Sequence, residues 1–454
     1  MITRIEISGF KGFVDFFLDL QPFQVIVGHN AAGKSNLFDA LLLLSKLAEK
    51  DIRSAFQEVR GESGELFTVL PEGTTTTLMK FAVELLLEPR VRDPWGQEGA
   101  VYHPRVRYEL HLRRKSVERG LDQLNIEHEE LTPIMRKDDE WGQNNKNAKW
   151  AEYFQYRRQQ PFISCQLSDN IPTLILHQDG RSGRQRKSPL EKLESTFLSS
   201  LINVEFPHGF AVREEMRNWT FLQLIPDALR TPESRLAPSK IEASGKYLSN
   251  MLARLSKEDE FVLHDISKDI SNLVPGITKI KVEEDEAKDR YLILAQTSDG
   301  RNFSSRVLSD GTLRMLALAC IKNDLSHEGV LLFEEPENSV HPYRIKQLVP
   351  LLRQMTTNFN EEHDPEQRLR QLIINTHSPK LVSHLTDDEI IFAHVVDLVS
   401  KDYSKPLRVT RMVPVKNELF STEGDNFYAR YEMEKYLESS DLEEAVIRLR
   451  GESQ

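Results

Sequence analysis

The pattern of apolar and polar positions predicts three short strands followed by one helix at the start of the chain. Apolar residues alternate or cluster over residues 2–9 and 13–20, and a third apolar run, Gln24–Val27, ends at a glycine. Over residues 33–49 the apolar positions recur instead at helical spacing. A glycine-rich turn is therefore expected to connect the third strand to the helix.

The middle of the chain changes its pattern twice. Residues 78–87 and 105–113 alternate as strands do, whereas residues 188–275 carry apolar side chains at helical spacing. The segment 132–160 is rich in Asp, Glu and Asn, which predicts a polar excursion at the surface. The pattern therefore indicates an insertion that begins with strands and continues with helices.

The last third of the chain alternates strand and helix. Apolar strands are predicted at Val330–Phe333 and Leu372–Asn375. The helices predicted around them, and the later elements, are Ser309–Cys320, Tyr343–Met355, Ser378–Leu385, the strands Phe392–Val396 and Leu407–Val413, and an amphipathic helix around Tyr428–Leu449. Alternation of this kind is typical of a parallel sheet covered by helices.

The expected fold class is therefore α/β, a mixed sheet with flanking helices and a largely helical middle insertion. We expect residues 1–85 and 286–425 to form the two parts of this α/β unit. Residues 86–285 are expected to be the insertion, with strands and a helical arm, and residues 426–454 a C-terminal helix.

A phosphate-binding sequence lies where the third strand meets the helix. Residues 28–35 match the pattern G-x-x-x-x-G-K-[ST]. In such a loop the backbone N–H groups surround phosphate, the lysine reaches the terminal phosphates and the hydroxyl ligates Mg²⁺. The nucleotide-binding candidates are Gly28, His29, Asn30, Ala31, Ala32, Gly33, Lys34, Ser35 and Asn36.

Two adjacent carboxylates, Glu334 and Glu335, follow the apolar strand Val330–Phe333. An acid at the end of such a strand is suited to hold Mg²⁺, and the next one to deprotonate an attacking water. We assign Glu334 to the metal, together with Ser35, and Glu335 to catalysis. An aspartate is usual at the first position, so the longer side chain of Glu334 is a departure from the pattern.

Three further motifs surround this strand in the order typical of one class of ATPase. A signature-like motif opens a predicted helix about 20 residues before Glu334. The segment from Pro336 to Pro342 follows the acidic pair, and His377 ends the next strand. His377 resembles the switch histidine of ABC-type ATPases at that position, which implies that it senses the γ-phosphate, and we include it in the catalytic group. The signature candidates are Leu308, Ser309, Asp310, Gly311 and Thr312.

With these motifs the sequence resembles the ABC-type ATPases of the RecF, SMC and OLD branch, often described as AAA or SMC-like ATPases of bacterial defence islands. The resemblance covers residues 1–60 and 290–400. It implies an ABC-type head that binds ATP and Mg²⁺. It also implies a head-to-tail homodimer or higher oligomer, in which the signature motif of one copy faces the phosphate loop of the other.

The resemblance adds two site residues. The opening Gly9–Phe13 is similar to the family's N-terminal motif, which implies that Lys11 approaches the nucleotide. The family also has a glutamine that contributes to the metal site, and Gln57 is the candidate because it follows the helix after the phosphate loop. A surface glutamine is the alternative for Gln57.

Composition argues against membrane-spanning, secreted and disulfide-rich proteins. The chain is 39% hydrophobic, yet it lacks the run of about 18 apolar residues that a membrane span requires. Met1 leads directly into a strand pattern without the features of a signal peptide. With two cysteines there is no disulfide framework. We therefore expect a cytoplasmic protein without a membrane partner.

The formal net charge of −11 argues against a chain that wraps nucleic acid over its whole surface. Any contact with DNA must be local. Basic residues cluster in two places, which are either nucleic-acid contacts or solvated surface. These are Arg105, Arg107, Arg113, Arg114, Lys115 and Arg119, and then Arg181, Arg184, Arg186 and Lys187.

Three functions fit these features. The first is an ATPase subunit that serves as sensor and scaffold in an anti-phage defence complex, responds to DNA or a phage-derived trigger, and controls a separately encoded nuclease or toxin. The second is a RecF-like repair or recombination ATPase that binds DNA. The third, a self-contained nuclease, is less favoured because only 77 residues follow His377 (454 − 377).

Overall fold

The computed structural model describes residues 1–117, 121–145, 148–168, 171–179, 186–190, 193–338, 340–362, 368–399, 405–418 and 427–437. The strands in chain order are β1 Ile2–Ser8, β2 Phe16–Asp19, β3 Phe23–Val27, β4 Leu78–Leu86, β5 Arg90–Arg92, β6 Glu98–Ala100, β7 Arg105–Val117, β8 Leu121–Pro133, β9 Ile163–Ser168, β10 Ile171–Leu176, β11 Arg186–Pro189, β12 Thr220–Leu222, β13 Ile277–Asp285, β14 Arg290–Thr297, β15 Asn302–Ser304, β16 Gly329–Glu334, β17 Arg370–Thr376, β18 Ile390–Leu398, β19 Leu407–Lys416 and β20 Tyr428–Ala429. The helices are α1 Lys34–Leu47, α2 Ile52–Gln57, α3 Glu140–Asn145, α4 Pro207–Arg217, α5 Pro226–Arg230, α6 Leu248–Glu258, α7 Val262–Leu273, α8 Asp310–Asn323, α9 Ile345–Arg353 and α10 Pro379–Val382.

A seven-stranded sheet positions the phosphate loop. Its order is β12, β16, β17, β3, β18, β19 and β20, and the first five of these strands run parallel. The prediction of a parallel sheet with flanking helices is thus confirmed. Every residue of β3 is buried, with Ile26 in one core and Val25 and Val27 in the other. Because the parallel strands end at one edge, the loops after β3, β16 and β17 meet there.

An eight-stranded antiparallel sheet lies on the other side of α1. Its order is β11, β10, β9, β8, β7, β4, β1 and β2. Along β1 the side chains of Ile5 and Ile7 point into a core shared with Leu37 and Leu41 of α1, whereas Glu6 points outward. This alternation gives one buried and one solvated face, as is usual for antiparallel sheets.

The described residues of the middle segment, 86–285, combine strands with helices instead of being largely helical. Its strands β7 to β11 extend the same antiparallel sheet as β1, so the sheet continues across the expected boundary after residue 85. The helices α4, α6 and α7 are present, but they pack against the cores instead of projecting as an arm. The helical pattern predicted for residues 188–275 corresponds to α4 to α7, and the predicted strand 105–113 lies within β7. The strands after it were missed because antiparallel strands with charged outer faces, such as the pair Arg113 and Glu127, have a polar composition.

The segment 132–160 is also not a simple surface excursion. It contains α3, and its aromatic side chains form a small core with Phe359 and Leu369. Within it, Asp139 is fully buried and accepts two hydrogen bonds of 2.8 Å from the Arg105 guanidinium. Polar residues therefore dominate the composition while a few aromatic residues anchor the segment. The buried aromatic side chains are Trp141, Trp150, Tyr153 and Phe154.

Residues 430–437 pack near the phosphate loop. Residues 430–437 are helical, which confirms the start of the predicted C-terminal helix, and its predicted remainder lies outside the described residues. Met433 and Leu437 are buried in the same core as β3. Among the described residues, no helix is both long and apolar enough to cross a membrane.

Glu129 on β8 is a fully buried carboxyl group that couples folding to pH. Its oxygens accept hydrogen bonds from the backbone N–H groups of Phe197 and Leu198 and from the Tyr108 hydroxyl. Burial nevertheless dominates and raises the pKa of Glu129 to about 7. The folded chain therefore retains a proton that the unfolded chain releases near pH 4.

We predict that the free energy of unfolding decreases by about 3 kcal/mol as the pH rises from about 4.5 to 7, because a raised carboxyl pKa stabilises the fold only while the group is protonated. Glu129→Gln should flatten this slope, as measured by denaturant unfolding at several pH values. Glu127→Gln is the control, since ion pairing with Arg113 lowers the pKa of Glu127. An unchanged slope in Glu129→Gln would contradict the prediction.

Candidate functional site

The loop between β3 and α1 has the backbone that phosphate binding requires. Gly33 has a φ of 90°, and a Cβ there would overlap the Thr410 hydroxyl. A Cβ at Gly28 would overlap the carbonyl oxygen of Ala393. The glycines are thus needed because the neighbouring strands β18 and β19 lie directly against the loop.

The Lys34 side chain lies inside this loop. It is 8% exposed, and its Nζ donates hydrogen bonds to the carbonyl oxygens of Gly28 at 2.6 Å and His29 at 2.7 Å. The loop therefore encircles an ammonium group at the N-terminal end of α1, which is a favourable place for anionic phosphate. The His29 ring contacts Tyr436 of the C-terminal helix, with ring centroids 3.8 Å apart.

A cleft of about 600 Å³ opens in front of the loop. Residues from five segments line it, so the predicted phosphate-binding and carboxylate residues come together in space. The lining residues are Asn30, Ala31, Gly33, Lys34, Ser35, Asn36, Leu222, Gln223, Leu224, Arg314, Phe333, Glu334, Glu335, Asn338 and Asn375.

The two predicted carboxylates have different environments in this cleft. Glu334 ends β16, and its Oε1 accepts a hydrogen bond of 3.0 Å from the Asn375 side chain. Glu335 follows with a φ of 48°, and its backbone N–H bonds the Asn375 carbonyl at 3.0 Å. The Asn375 residue thus positions both acids at the edge of the sheet.

Glu335 is oriented by two side chains. Its Oε1 lies 2.9 Å from Nδ1 of His377, and its Oε2 accepts a hydrogen bond of 2.6 Å from Asn338. The Glu335 side chain remains partly accessible from the cleft. Such an arrangement holds a carboxylate at a fixed position where it can accept a proton from water.

Glu337 is a residue that the sequence reasoning did not single out. It is buried beside the site, accepts a hydrogen bond from the Thr376 hydroxyl, and burial raises its pKa. The same hydroxyl accepts a hydrogen bond of 3.0 Å from the Ser378 backbone N–H. Glu337 therefore fixes the turn that carries His377. Its position directly after the acidic pair and Pro336 was the available signal.

Lys11 and Gln57 are among the predicted site residues that do not line the cleft. Lys11 Nζ bonds the Asp39 carboxylate on α1 at 2.6 Å and the Arg60 carbonyl oxygen at 3.1 Å. Gln57 is exposed at the end of α2, because Ala55 and Phe56 take the buried positions of that short helix. Neither residue is brought to the nucleotide cleft in this arrangement.

Gln223 occupies the place that was expected for Gln57. It follows β12, which pairs in parallel with β16, and it lines the cleft together with Glu334. The signal in the sequence was a glutamine at the end of the apolar run Trp219–Leu222. Sequence reasoning missed it because this run lies in the segment predicted to be a helical insertion.

The signature segment lies in a separate depression of about 420 Å³. Ser309 caps α8, since its Oγ accepts a hydrogen bond of 3.3 Å from the Thr312 backbone N–H. The depression is lined by Ser309, Gly311 and Thr312, by apolar residues of neighbouring segments, and by His341 and Arg344. Tyr343 of this lining is 75% exposed, and Val307, two residues before Ser309, is 67% exposed. The chain does not bring its own signature residues into the cleft that contains Lys34.

The first basic cluster is largely paired within the chain. Arg105 is buried against Asp139, Arg107 binds Glu6 at 2.7 Å, and Arg113 binds Glu127. As a nucleic-acid surface this cluster is therefore a poor match. In the second cluster, Arg186 and Lys187 are exposed on β11. The other basic residues, Arg181 and Arg184 of this cluster and Arg119 of the first, lie outside the described residues.

A phosphate loop between strand and helix, close to a strand that ends in carboxylates, defines a P-loop nucleoside triphosphatase. A family model described as "AAA domain, putative AbiEii toxin, Type IV TA system" matches residues 23–383. The chain belongs to this family of AAA ATPases.

Two solved structures are similar to the chain. One is an SMC head bound to the C-winged helix domain of ScpA, at 14% identity and a TM-score of 0.49, and the match covers 91% of this chain and 96% of that one. The other is an SMC head with an extended coiled coil bound to the C-terminal domain of ScpA from Pyrococcus furiosus, at 12% identity, a TM-score of 0.47 and the same coverage. A comparison with curated proteins finds no match.

Proposed function

We propose that the chain is an ABC-type ATPase that hydrolyses ATP in the cleft in front of Lys34. The observation that carries the proposal is the convergence of Lys34, Ser35, Glu334 and Glu335 on one cleft. Lys34 would contact the β- and γ-phosphates, and Glu335 would accept the proton of the attacking water while His377 and Asn338 hold its two oxygens.

Ser35 and Glu334 are the residues that would hold Mg²⁺. Both supply oxygen atoms to the same cleft, and Mg²⁺ is commonly bound by one or two protein oxygens together with substrate phosphates. Bound there, the ion would neutralise charge on the transferring phosphoryl group. Glu334 is longer than the aspartate that is usual at this position. The hydrogen bond from the Asn375 side chain holds its carboxylate in place and so compensates for the extra length.

Gln223 is proposed as a further residue of this site, in place of Gln57. Gln223→Ala should lower ATP turnover by roughly 10- to 100-fold, because it removes an amide oxygen beside Glu334 that can orient the metal or the attacking water. Gln57→Ala is the matched control and should keep wild-type turnover in the same phosphate-release assay. Equal activities of the two variants would sink the assignment of Gln223.

We also propose that two copies form a head-to-tail dimer that sandwiches ATP, with a higher oligomer as its extension. The support is the separation of the Lys34 cleft from the signature depression, together with the exposed Val307 and Tyr343 beside Ser309. An apolar rim of this kind is suited to be covered by a partner. In the dimer, Ser309 and Gly311 of one copy would face the γ-phosphate bound by Lys34 of the other.

For the biological role, we favour a cytoplasmic sensor and scaffold subunit of an anti-phage defence complex that controls a separate nuclease or toxin. The family description, which mentions a toxin and a toxin–antitoxin system, supports this reading over the RecF-like repair ATPase. Stimulation of ATP turnover by DNA alone would favour the repair ATPase. Metal-dependent DNA cleavage by the purified chain would favour the self-contained nuclease.

A further inference from the structure

Arg230 contacts the signature segment of its own chain. It ends α5, which begins directly after the cleft residues Gln223 and Leu224. Its Nη2 donates a hydrogen bond of 3.0 Å to the Leu308 carbonyl oxygen and also pairs with the Asp310 carboxylate. The guanidinium therefore holds the signature segment by its backbone and by its acidic side chain.

The charge on Asp310 presents a physical problem for the proposed dimer. Asp310 is the first residue of α8 and is about half exposed. A carboxylate at a helix N-terminus stabilises the helix itself. It nevertheless repels the triphosphate that a partner would present to Ser309 and Gly311, and like charges brought together at an interface weaken association.

Arg230 removes this repulsion. A guanidinium remains protonated at every physiological pH, and it binds a carboxylate and a carbonyl oxygen at once. The Arg230 side chain is mostly buried, at 24% exposed, so that the pair is ordered at the edge of the depression. Its backbone oxygen also accepts a hydrogen bond of 3.2 Å from Ser305, which ties α5 to the segment before the signature.

We propose that Arg230 is a positioning residue that prepares the signature segment for the ATP bound by a second copy, by neutralising Asp310 and fixing the Leu308 carbonyl. This inference rests on the proposed sandwich dimer and adds a residue to it. Arg230 thereby acts in trans, on the nucleotide bound by the second copy.

Charge neutralisation is tested by rescue. Arg230→Ala should lower ATP turnover by roughly tenfold or more, because Asp310 is then an unpaired negative charge facing phosphate. Adding Asp310→Asn in the same chain should restore most of the lost turnover, and Arg230→Lys should retain an intermediate rate. A purely structural role for Arg230 predicts no rescue by Asp310→Asn. Failure of that rescue would overturn the proposal.

Action in trans is tested by mixing two impaired variants. Arg230→Ala mixed with Lys34→Ala should regain about one quarter of wild-type turnover, since half of the random dimers contain one complete composite site. Ser309→Ala mixed with Lys34→Ala calibrates the assay, because the smaller side chain leaves the interface able to form. Recovery with Ser309→Ala but not with Arg230→Ala would overturn the trans role of Arg230 alone. Recovery with neither would remove both the composite site and the role of Arg230.

Discussion

Lys34→Ala is expected to weaken ATP binding by about a hundredfold or more. The Lys34 ammonium is the cation that the phosphate loop encircles, and hydrogen bonds to charged groups contribute about 1.5–3 kcal/mol each. Two such bonds to the β- and γ-phosphates account for the expected loss. Titration of the variant with a fluorescent ATP analogue measures the dissociation constant directly.

Lys46→Ala provides the matched control for Lys34→Ala. Lys46 lies in the last turn of the same helix α1 and pairs with Glu58 at 3.1 Å, far along the helix from the phosphate loop. It should bind ATP as the wild type does. Thermal unfolding of both variants separates loss of binding from loss of folding. An unchanged dissociation constant in folded Lys34→Ala would refute the assignment of the loop.

Glu335→Gln should abolish turnover while leaving ATP affinity nearly unchanged. General-base catalysis contributes about 10²- to 10⁴-fold, and a neutral amide cannot accept the proton of the attacking water. The amide has the shape of the carboxylate, and its oxygen can still accept the hydrogen bond from Asn338. The prediction is a large decrease in kcat with ATP still bound.

Glu328→Gln is the control for this variant. Glu328 directly precedes β16, whereas Glu335 follows the other end of the same strand. Single-turnover hydrolysis and nucleotide titration should show that only Glu335→Gln separates binding from chemistry. Should Glu335→Gln hydrolyse ATP at the wild-type rate, the base is another group.

The parts of the site that were predicted from the sequence are those encoded in short continuous segments. The phosphate loop lies within residues 28–36, and the carboxylates Glu334 and Glu335 directly follow an apolar run. The end of a strand can be predicted from a local pattern, because an apolar run and the glycine turn after it each span only a few residues. The α/β class and the parallel sheet follow from the same patterns.

Contacts between distant segments were not predictable in the same way. Gln223 reaches the cleft only because β12 pairs with β16, and no periodicity in the sequence encodes that pairing. The buried pair of Arg105 and Asp139 illustrates the same limit, since a sequence displays charges without their partners. Which strands pair, and in which register, decides which side chains become neighbours, and this is settled only when the whole chain folds.

The central claim, an ATP site shared by two copies, is tested most directly by the mass of Glu335→Gln in sedimentation equilibrium with and without MgATP. One chain has a mass of 52.4 kDa. The account predicts that MgATP converts the variant to a species of twice the chain mass or a higher multiple, and that adding Ser309→Arg prevents this conversion. A mass that does not respond to MgATP, or a response that persists with Ser309→Arg, would contradict it.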